Sequence, residues 1–269
     1  MRFFFDKHPV SQINDLIALY KPGEFESPTR STVPLFSLLQ HGGAVWGEIA
    51  GEFAAEGGAG EMHLEFTVEP PQGTGQPSHT DVMLINANRA FALEAKWTEP
   101  RYDTVGEWLG KGTNPDNRRM VMCGWLSLLR PCTRPLHVEA FTDAVYQMVH
   151  RAASACVAGR APAMAYIQFS PLPDATPPDI ARLKCDLAHL HHLLGDPTGF
   201  PFHLIEVEVS PTATFKRIKA LPKGSAETAR TVRAVLGKEP LFEFTISRWH
   251  TVGPARGSPG QRKPEKVGG

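Results

Sequence analysis

Residues 77 to 97, PSHTDVMLINANRAFALEAKW, place charge inside otherwise apolar β-like sequence, and that restricts what the chain can fold into. Two runs, Val82 to Ile85 and Ala90 to Leu93, are joined by Asn86-Ala87-Asn88-Arg89. Asp81 opens the first run; Glu94 and Lys96 close the second. Successive side chains of a strand point to opposite faces. Glu94 and Lys96 therefore share one face, and Leu93, Ala95 and Trp97 the other. If the runs pair through the turn, Asp81 lies across from Glu94. Two carboxylates and an amine then converge at one end of a buried sheet. A lone Glu-x-Lys is usually a solvated surface pair of little energetic value. Charges on buried strands, led in by Pro-Ser-His-Thr and flanked by apolar residues, point instead to chemistry.

The rest of the chain is long enough to build the sheet that such a site needs. With 269 residues, 42% hydrophobic and 21% charged, it has ordinary globular composition. No apolar run approaches the roughly 18 residues that cross a bilayer. The N-terminal MRFFFDKHPVSQ has only three apolar residues before charge, so it does not read as a signal peptide. A cytoplasmic protein with no membrane contact is the expectation. The four cysteines, Cys123, Cys132, Cys156 and Cys185, form no C-x-x-C pair, which fits reduced thiols. Net charge is zero but unevenly spread. From Pro211 onward 12 Lys/Arg face 4 Asp/Glu, a net of +8 that leaves −8 on the first 210 residues. A basic C-terminal quarter is either a solvated tail or a contact for nucleic acid.

Periodicity orders the elements. Ser11 to Tyr20 reads as a helix with Ile13, Leu16, Ile17 and Tyr20 on one face, ended by Lys21-Pro22-Gly23. A second helix starts at Ser31 or Thr32 and is interrupted at Gly42-Gly43. It resumes from Ala44 to Glu56, with Val45, Ile49 and Phe53 as its apolar stripe. Glu52 lies at the edge of that stripe and Glu48 further round. His63 to Glu69 alternates, placing Leu64, Phe66 and Val68 on one face and Glu65, Thr67 and Glu69 on the other. Pro70 to Ser78 is a loop. The stretch after Trp97 is polar and broken by Gly and Pro. Helices are expected over Arg118 to Arg130, Val138 to Ala158 and Pro178 to Leu194, and strands over Ala163 to Phe169 and Phe202 to Val209. Tyr146, Gln147, His150 and Arg151 form a polar flank on the middle helix. The later strands, separated by helices, should add in parallel to one mixed sheet flanked by helices, an α/β fold. Residues 1–210 form this domain and 211–250 a basic extension packed on it, helical from Ala226 with a β-like run from Leu241 to Trp249. Residues 251–269, rich in Gly and Pro, should be disordered.

Asp81 and Glu94 on adjacent strands suit a hard divalent cation, Mg²⁺ first with Mn²⁺ as a substitute. The Ala95 carbonyl is a third candidate ligand. Lys96 beside it would orient the attacking water and add positive charge, the requirements of phosphodiester hydrolysis. Cys185, His189 and His192 share one helix face but lack a nearby fourth zinc ligand. No nucleophile elbow, P-loop or dinucleotide fingerprint is present.

Asp81 followed by Glu94-Ala95-Lys96 resembles the PD-(D/E)xK nuclease superfamily, and the order of a helix, three meandering strands, a helix and a further strand is similar to that family's core. The likeness covers roughly residues 44 to 170. Ser78-His79-Thr80-Asp81 replaces the family's Pro-Asp, with Pro77 four residues before Asp81. The resemblance implies a restriction-endonuclease-like fold, with Asp81 and Glu94 as metal ligands and Lys96 as the catalytic lysine. It also implies a further acidic residue from the first core helix, for which Glu52 is the match and Glu48 the next; Glu65, on the strand His63 to Glu69, is the other residue that could complete the site. An Mg²⁺-dependent endonuclease acting on DNA is the expected function. A homodimer is one arrangement that would cut both strands. The competing expectation is a nuclease-like fold that only binds nucleic acid or a protein partner.

Overall fold

The computed structural model describes residues 1–54, 60–133, 135–158 and 160–252. The tail expected to be disordered falls outside the described residues from 253 onward, as do residues 57–59 of the glycine-rich break. Arg2–Phe5 forms β1 and His8–Val10 forms β2, an antiparallel hairpin too short for its periodicity to show in the sequence. Ile13–Leu19 is α1, Thr32–His41 is α2 and Gly43–Ala54 is α3. Gly43, at φ +49°, supplies the left-handed turn between the last two.

The three strands of the central stretch follow: β3 (Glu61–Val68), β4 (Ser78–Ile85) and β5 (Arg89–Lys96). Asn86 holds the turn between β4 and β5. Its Oδ1 accepts from the Asn88 and Arg89 amides at 2.9 and 2.8 Å, and its Nδ2 donates to the Phe53 carbonyl at 3.2 Å. The stretch expected to be irregular after Trp97 contains α4 (Val105–Gly110), started by a capping box in which Thr104 and Glu107 satisfy each other's amides. Pro115–Leu129 is α5, capped by Asn114. The single helix expected over Val138 to Ala158 is instead two elements. A 3-10 turn covers Val138–Phe141, and α6 (Tyr146–Val157) begins only after Val145, whose backbone is extended at φ −67°, ψ 118°.

After α6 come β6 (Ala161–Ser170), α7 (Ile180–Leu193), β7 (Phe202–Pro211), α8 (Ala213–Lys219), α9 (Ala226–Leu236) and β8 (Phe242–Val252). Asp179, Thr212 and Ser225 cap the three helices. The eight strands form one mixed sheet in the order β2-β1-β3-β4-β5-β6-β7-β8. β3, β4 and β5 meander antiparallel; β5, β6 and β7 run parallel, as the intervening helices predict; β8 returns antiparallel on β7. The basic segment after Pro211 is thus part of the sheet, with Phe215 and Phe242 buried in its core.

Helices cover both faces of the sheet. On one face α1, α2, α3, α8 and α9 pack Leu16, Phe36, Ile49, Phe215 and Val232 against Leu64, Val82, Leu93, Ala95 and Ile167. On the other, α5, α6 and α7 pack Trp125, Val149 and Leu187 against Phe66, Met83, Ala92 and Tyr166. Each fully buried Val, Leu, Ile, Phe or Met among them is worth about 1.5–3 kcal/mol. No helix among the described residues is long and apolar enough to cross a membrane.

Candidate active site

The site forms where β3 and β4 turn over. Leu64 pairs with Val82 and Phe66 with Thr80, so Glu65 and Asp81 stand opposite each other between them. Glu65 has φ +55°, a left-handed conformation that a side-chain-bearing residue adopts at a cost of about 1–3 kcal/mol. The strained residue switches the faces of the strand without changing its direction or register. Leu64 joins one core, whereas Phe66 and Val68 join the other. The expected alternation, with all three on one face, therefore fails at Glu65.

β4 and β5 pair from Ile85 with Ala90 to Val82 with Leu93. One step further the Asp81 side chain replaces the backbone as partner, its Oδ2 accepting from the Ala95 amide at 2.8 Å. Asp81 and Glu94 thus sit at adjacent positions on neighbouring strands, as the alternation predicts, with Leu93, Ala95 and Trp97 buried on the opposite face. Glu94 is 3% exposed, and both its oxygens are engaged. Oε1 accepts from Lys96 Nζ at 3.1 Å and from Gln147 Nε2 at 2.8 Å, while Oε2 accepts from Arg151 Nε. Arg151 also donates to Ser78 Oγ at 2.6 Å, and that oxygen lies 2.9 Å from His150 Nδ1 and accepts from Ser154 at 3.1 Å.

Gln147, His150, Arg151 and Ser154 are spaced i, i+3, i+4 and i+7 on α6, one helical face. Their polar stripe interrupts a helix whose other positions, Met148, Val149, Ala152, Ala153 and Ala155, are buried. That contrast was the available sequence signal; the partnership with Glu94 and Ser78 was not visible in it.

The electrostatics follow from burial and proximity. Burial pushes the Asp81 carboxyl well above its usual range, and Glu94 and Glu65 push it further. Glu65 rises to about 7 through burial, with Glu24 and Glu94 adding to the shift and Arg151 and the Tyr20 hydroxyl opposing it. Burial also opposes ionisation of Glu94, but Arg151 and Lys96 more than cancel this and leave it lowered. His150 falls well below its usual range through burial and the same two cations, so it is neutral at pH 7.

For Glu65 the sign is that of a raised acid. The folded state holds the proton between pH 4.5 and 7 while the unfolded chain has lost it, so stability falls as pH rises through that window. The side chain is 30% exposed, which discounts the effect to about 1–2 kcal/mol. Urea denaturation at pH 5 and pH 7.5 should show Glu65→Gln losing less stability across this interval than wild type. Equal losses in the two proteins would mean that Glu65 does not titrate there.

Glu52 is not brought to the site. Its side chain is exposed, and its carbonyl accepts from Arg89 at 2.9 Å at the start of β5, five residues and about 16 Å of strand from Glu94. Glu48 is exposed on the same helix. The α3 stripe turns both away because Ile49 and Phe53 take the core-facing positions. Glu65 is the third carboxylate that the fold supplies. On α7, Cys185, His189 and His192 lie on an exposed face.

The donor set suits a hard cation. Asp81 and Glu94, with Glu65 beside Asp81, offer carboxylate oxygens whose mutual repulsion a divalent ion would relieve, and Mg²⁺ needs only one or two carboxylates beside waters and phosphate. Among the described residues no group of three or more His, Cys, Asp or Glu stands ready to hold a metal ion. The remaining ligands would therefore be the Ala95 carbonyl, water or substrate.

A family model described as "Domain of unknown function (DUF6946)" matches residues 9–196, more than half of the chain. The chain belongs to this family. The matched span runs from β2 to just beyond α7 and contains Glu65, Asp81, Glu94, Lys96 and the polar face of α6. Neither the comparison with curated proteins nor that with solved structures gave a match.

Proposed function

We propose that the chain is a metal-dependent nuclease of the PD-(D/E)xK kind, an endonuclease that hydrolyses phosphodiester bonds in cytoplasmic DNA. The observation that carries the reading is the junction of β4 and β5. The Asp81 carboxylate replaces the ladder at the Ala95 amide, and the next strand presents Glu94 and Lys96 on the face opposite Leu93, Ala95 and Trp97. The order that the resemblance implies, a helix, three meandering strands, a helix and a further strand, is contained in α3, β3-β4-β5, α6 and β6, with α4 and α5 inserted before α6. Asp81, Glu94 and the Ala95 carbonyl would hold Mg²⁺ or Mn²⁺, with Glu65 beside them. When bound, the ion lowers the pKa of its water and stabilises charge on the phosphoryl oxygens.

Lys96 Nζ holds Glu94 in place and lies 4.6 Å from the centre of the Tyr102 ring, at the mouth of the site. There it orients the attacking water and sets positive charge against the developing phosphorane. Lys216, Arg217 and Lys219 are exposed on α8. Lys219 donates to the Pro173 carbonyl at the C-terminal end of β6, the same end of the sheet as Lys96. These groups supply a basic rim for a polyanion.

Supercoiled plasmid incubated with Mg²⁺ or Mn²⁺ should be nicked or linearised, and EDTA should stop the reaction. Asp81→Ala should lower Mg²⁺ affinity by at least about tenfold by calorimetry, since even a partner that only orients a ligand is worth that much. Unchanged affinity removes Asp81 as a ligand. One observation favours a second reading, a nuclease-like fold that binds nucleic acid or a partner without cutting. Both Glu94 oxygens already have protein donors in Lys96, Gln147 and Arg151. DNA retained without cleavage by wild type and Lys96→Ala alike would establish that reading.

A further inference from the structure

Beside Lys96 a cavity of about 320 Å³ opens between the end of β5, β6, α6 and the start of α7. Its size is at the lower end for small-molecule pockets. Its walls are mainly apolar, from Met148, Leu172 and Leu183, with Tyr166 and Gln168 on the β6 side and Tyr102 in the loop after β5. Among the described residues, two of its polar atoms have no protein partner. The Tyr166 hydroxyl is buried without a hydrogen bond, in a residue that is 0% exposed. Gln168 gives its amide N–H groups to the carbonyls of Lys96 and Phe169, at 3.2 and 3.0 Å, which leaves its amide oxygen as a free acceptor. A buried hydroxyl without a partner is costly unless something else completes it. Tyr102, 47% exposed, presents an aromatic face beside the Lys96 ammonium. Arg101 clasps Asp186 across the pocket with bonds of 2.8 and 3.0 Å and ties the Tyr102 loop to α7.

We propose that this pocket is a nucleotide subsite that takes one unpaired base, stacked on Tyr102 and hydrogen-bonded to Tyr166 and Gln168, with its phosphate at Lys96. The proposal rests on the nuclease reading for the phosphate position and deepens it by naming the substrate class. A base enters such a pocket only out of its duplex stack, so single-stranded or unpaired nucleic acid is preferred. Stacking on one aromatic ring is sequence-tolerant, and all four bases should be accepted.

The test uses the full chain in EDTA, with the four deoxynucleoside monophosphates, inorganic phosphate and a single-stranded oligonucleotide carrying 2-aminopurine as probes. The monophosphates should bind at least about tenfold more tightly than phosphate, in proportion to one stacked base. The 2-aminopurine should be quenched in the single strand and much less in its duplex. Leu183→Trp, which fills the pocket, and Tyr102→Ala, which removes the exposed ring, should each weaken nucleotide binding about tenfold. Their circular dichroism and Mg²⁺ affinity should match wild type. Tyr102→Ala is a surface change that keeps the test valid if Leu183→Trp misfolds. Equal affinities for nucleotides and phosphate, or an unchanged Tyr102→Ala, overturn the subsite. The two readings fail separately: a plasmid and a single-stranded oligonucleotide both left uncut in Mg²⁺ and Mn²⁺ remove the nuclease, whereas a flat nucleotide titration removes the subsite even if either is cut.

Discussion

Lys96→Ala should cut plasmid on the order of 10²–10³ times more slowly than wild type at saturating Mg²⁺, the loss typical of removing one preorganised charge donor from a transition state. Its side chain is 11% exposed and held by Glu94 at 3.1 Å, so its charge works in a partly water-excluded setting. Loss of the lysine leaves Glu94 paired with Arg151 and Gln147. The fold should therefore survive, and a thermal melt within a few degrees of wild type separates lost chemistry from lost structure. Lys96→Arg should not restore the rate. A planar guanidinium differs in shape and hydration from an ammonium and would have to fit between Glu94 and Tyr102. Cleavage by Lys96→Ala at the wild-type rate would remove the lysine from the chemistry.

The parts of the site legible in the sequence were those that period-two alternation controls. Glu94 and Lys96 fall on one face, Leu93, Ala95 and Trp97 on the other, and the turn at Asn86 fixes the register that brings Asp81 to Glu94. Alternation failed on the next strand because one residue broke its premise. Glu65 takes a left-handed conformation, and beyond it every side chain changes face. No propensity assigns that to a glutamate flanked by Leu64 and Phe66. The choice of Glu52 failed for a related reason. Helical phase placed it beside an apolar stripe, but phase says nothing about which end of the sheet the stripe covers. The Phe53 carbonyl bonded to Asn86 fixes that end of α3 at the β4–β5 turn, away from the carboxylates. Arg151 was readable as polar and helical, yet its partner is 57 residues distant, and only the packing of α6 on β5 selects it. The parallel run was more accessible, because helices between strands supply the crossover that parallel neighbours need, as for β5, β6 and β7, although β8 returns antiparallel after α8 and α9.

That distant partner has the largest expected effect on stability. Arg151→Leu should destabilise the protein by about 3–5 kcal/mol, because it leaves the Glu94 carboxylate buried with one cation in place of two. Arg151 is 6% exposed and Glu94 3%, so water cannot readily take the place of the guanidinium. With urea slopes of about 1–3 kcal/mol per molar for small proteins, the midpoint should fall by at least about 1 M. The pH dependence should also reverse for this residue. In wild type the Glu94 carboxyl is lowered, so its contribution is present at neutral pH and lost as pH falls through the folded value. Without Arg151 burial prevails and raises the carboxyl, and acid then favours the folded state by neutralising it. Arg151→Leu should accordingly recover stability relative to wild type between pH 7.5 and pH 5. Glu94→Gln in the same chain should recover much of it at neutral pH, since no charge is left uncompensated. Under the nuclease reading Mg²⁺ should also stabilise Arg151→Leu more than wild type, because the freed Glu94 oxygen becomes available to the ion. A variant that loses stability but responds to neither acid nor Glu94→Gln would show that Arg151 acts through packing alone. A Mg²⁺ response in wild type equal to that in the variant would show that Arg151 does not compete with the ion for Glu94.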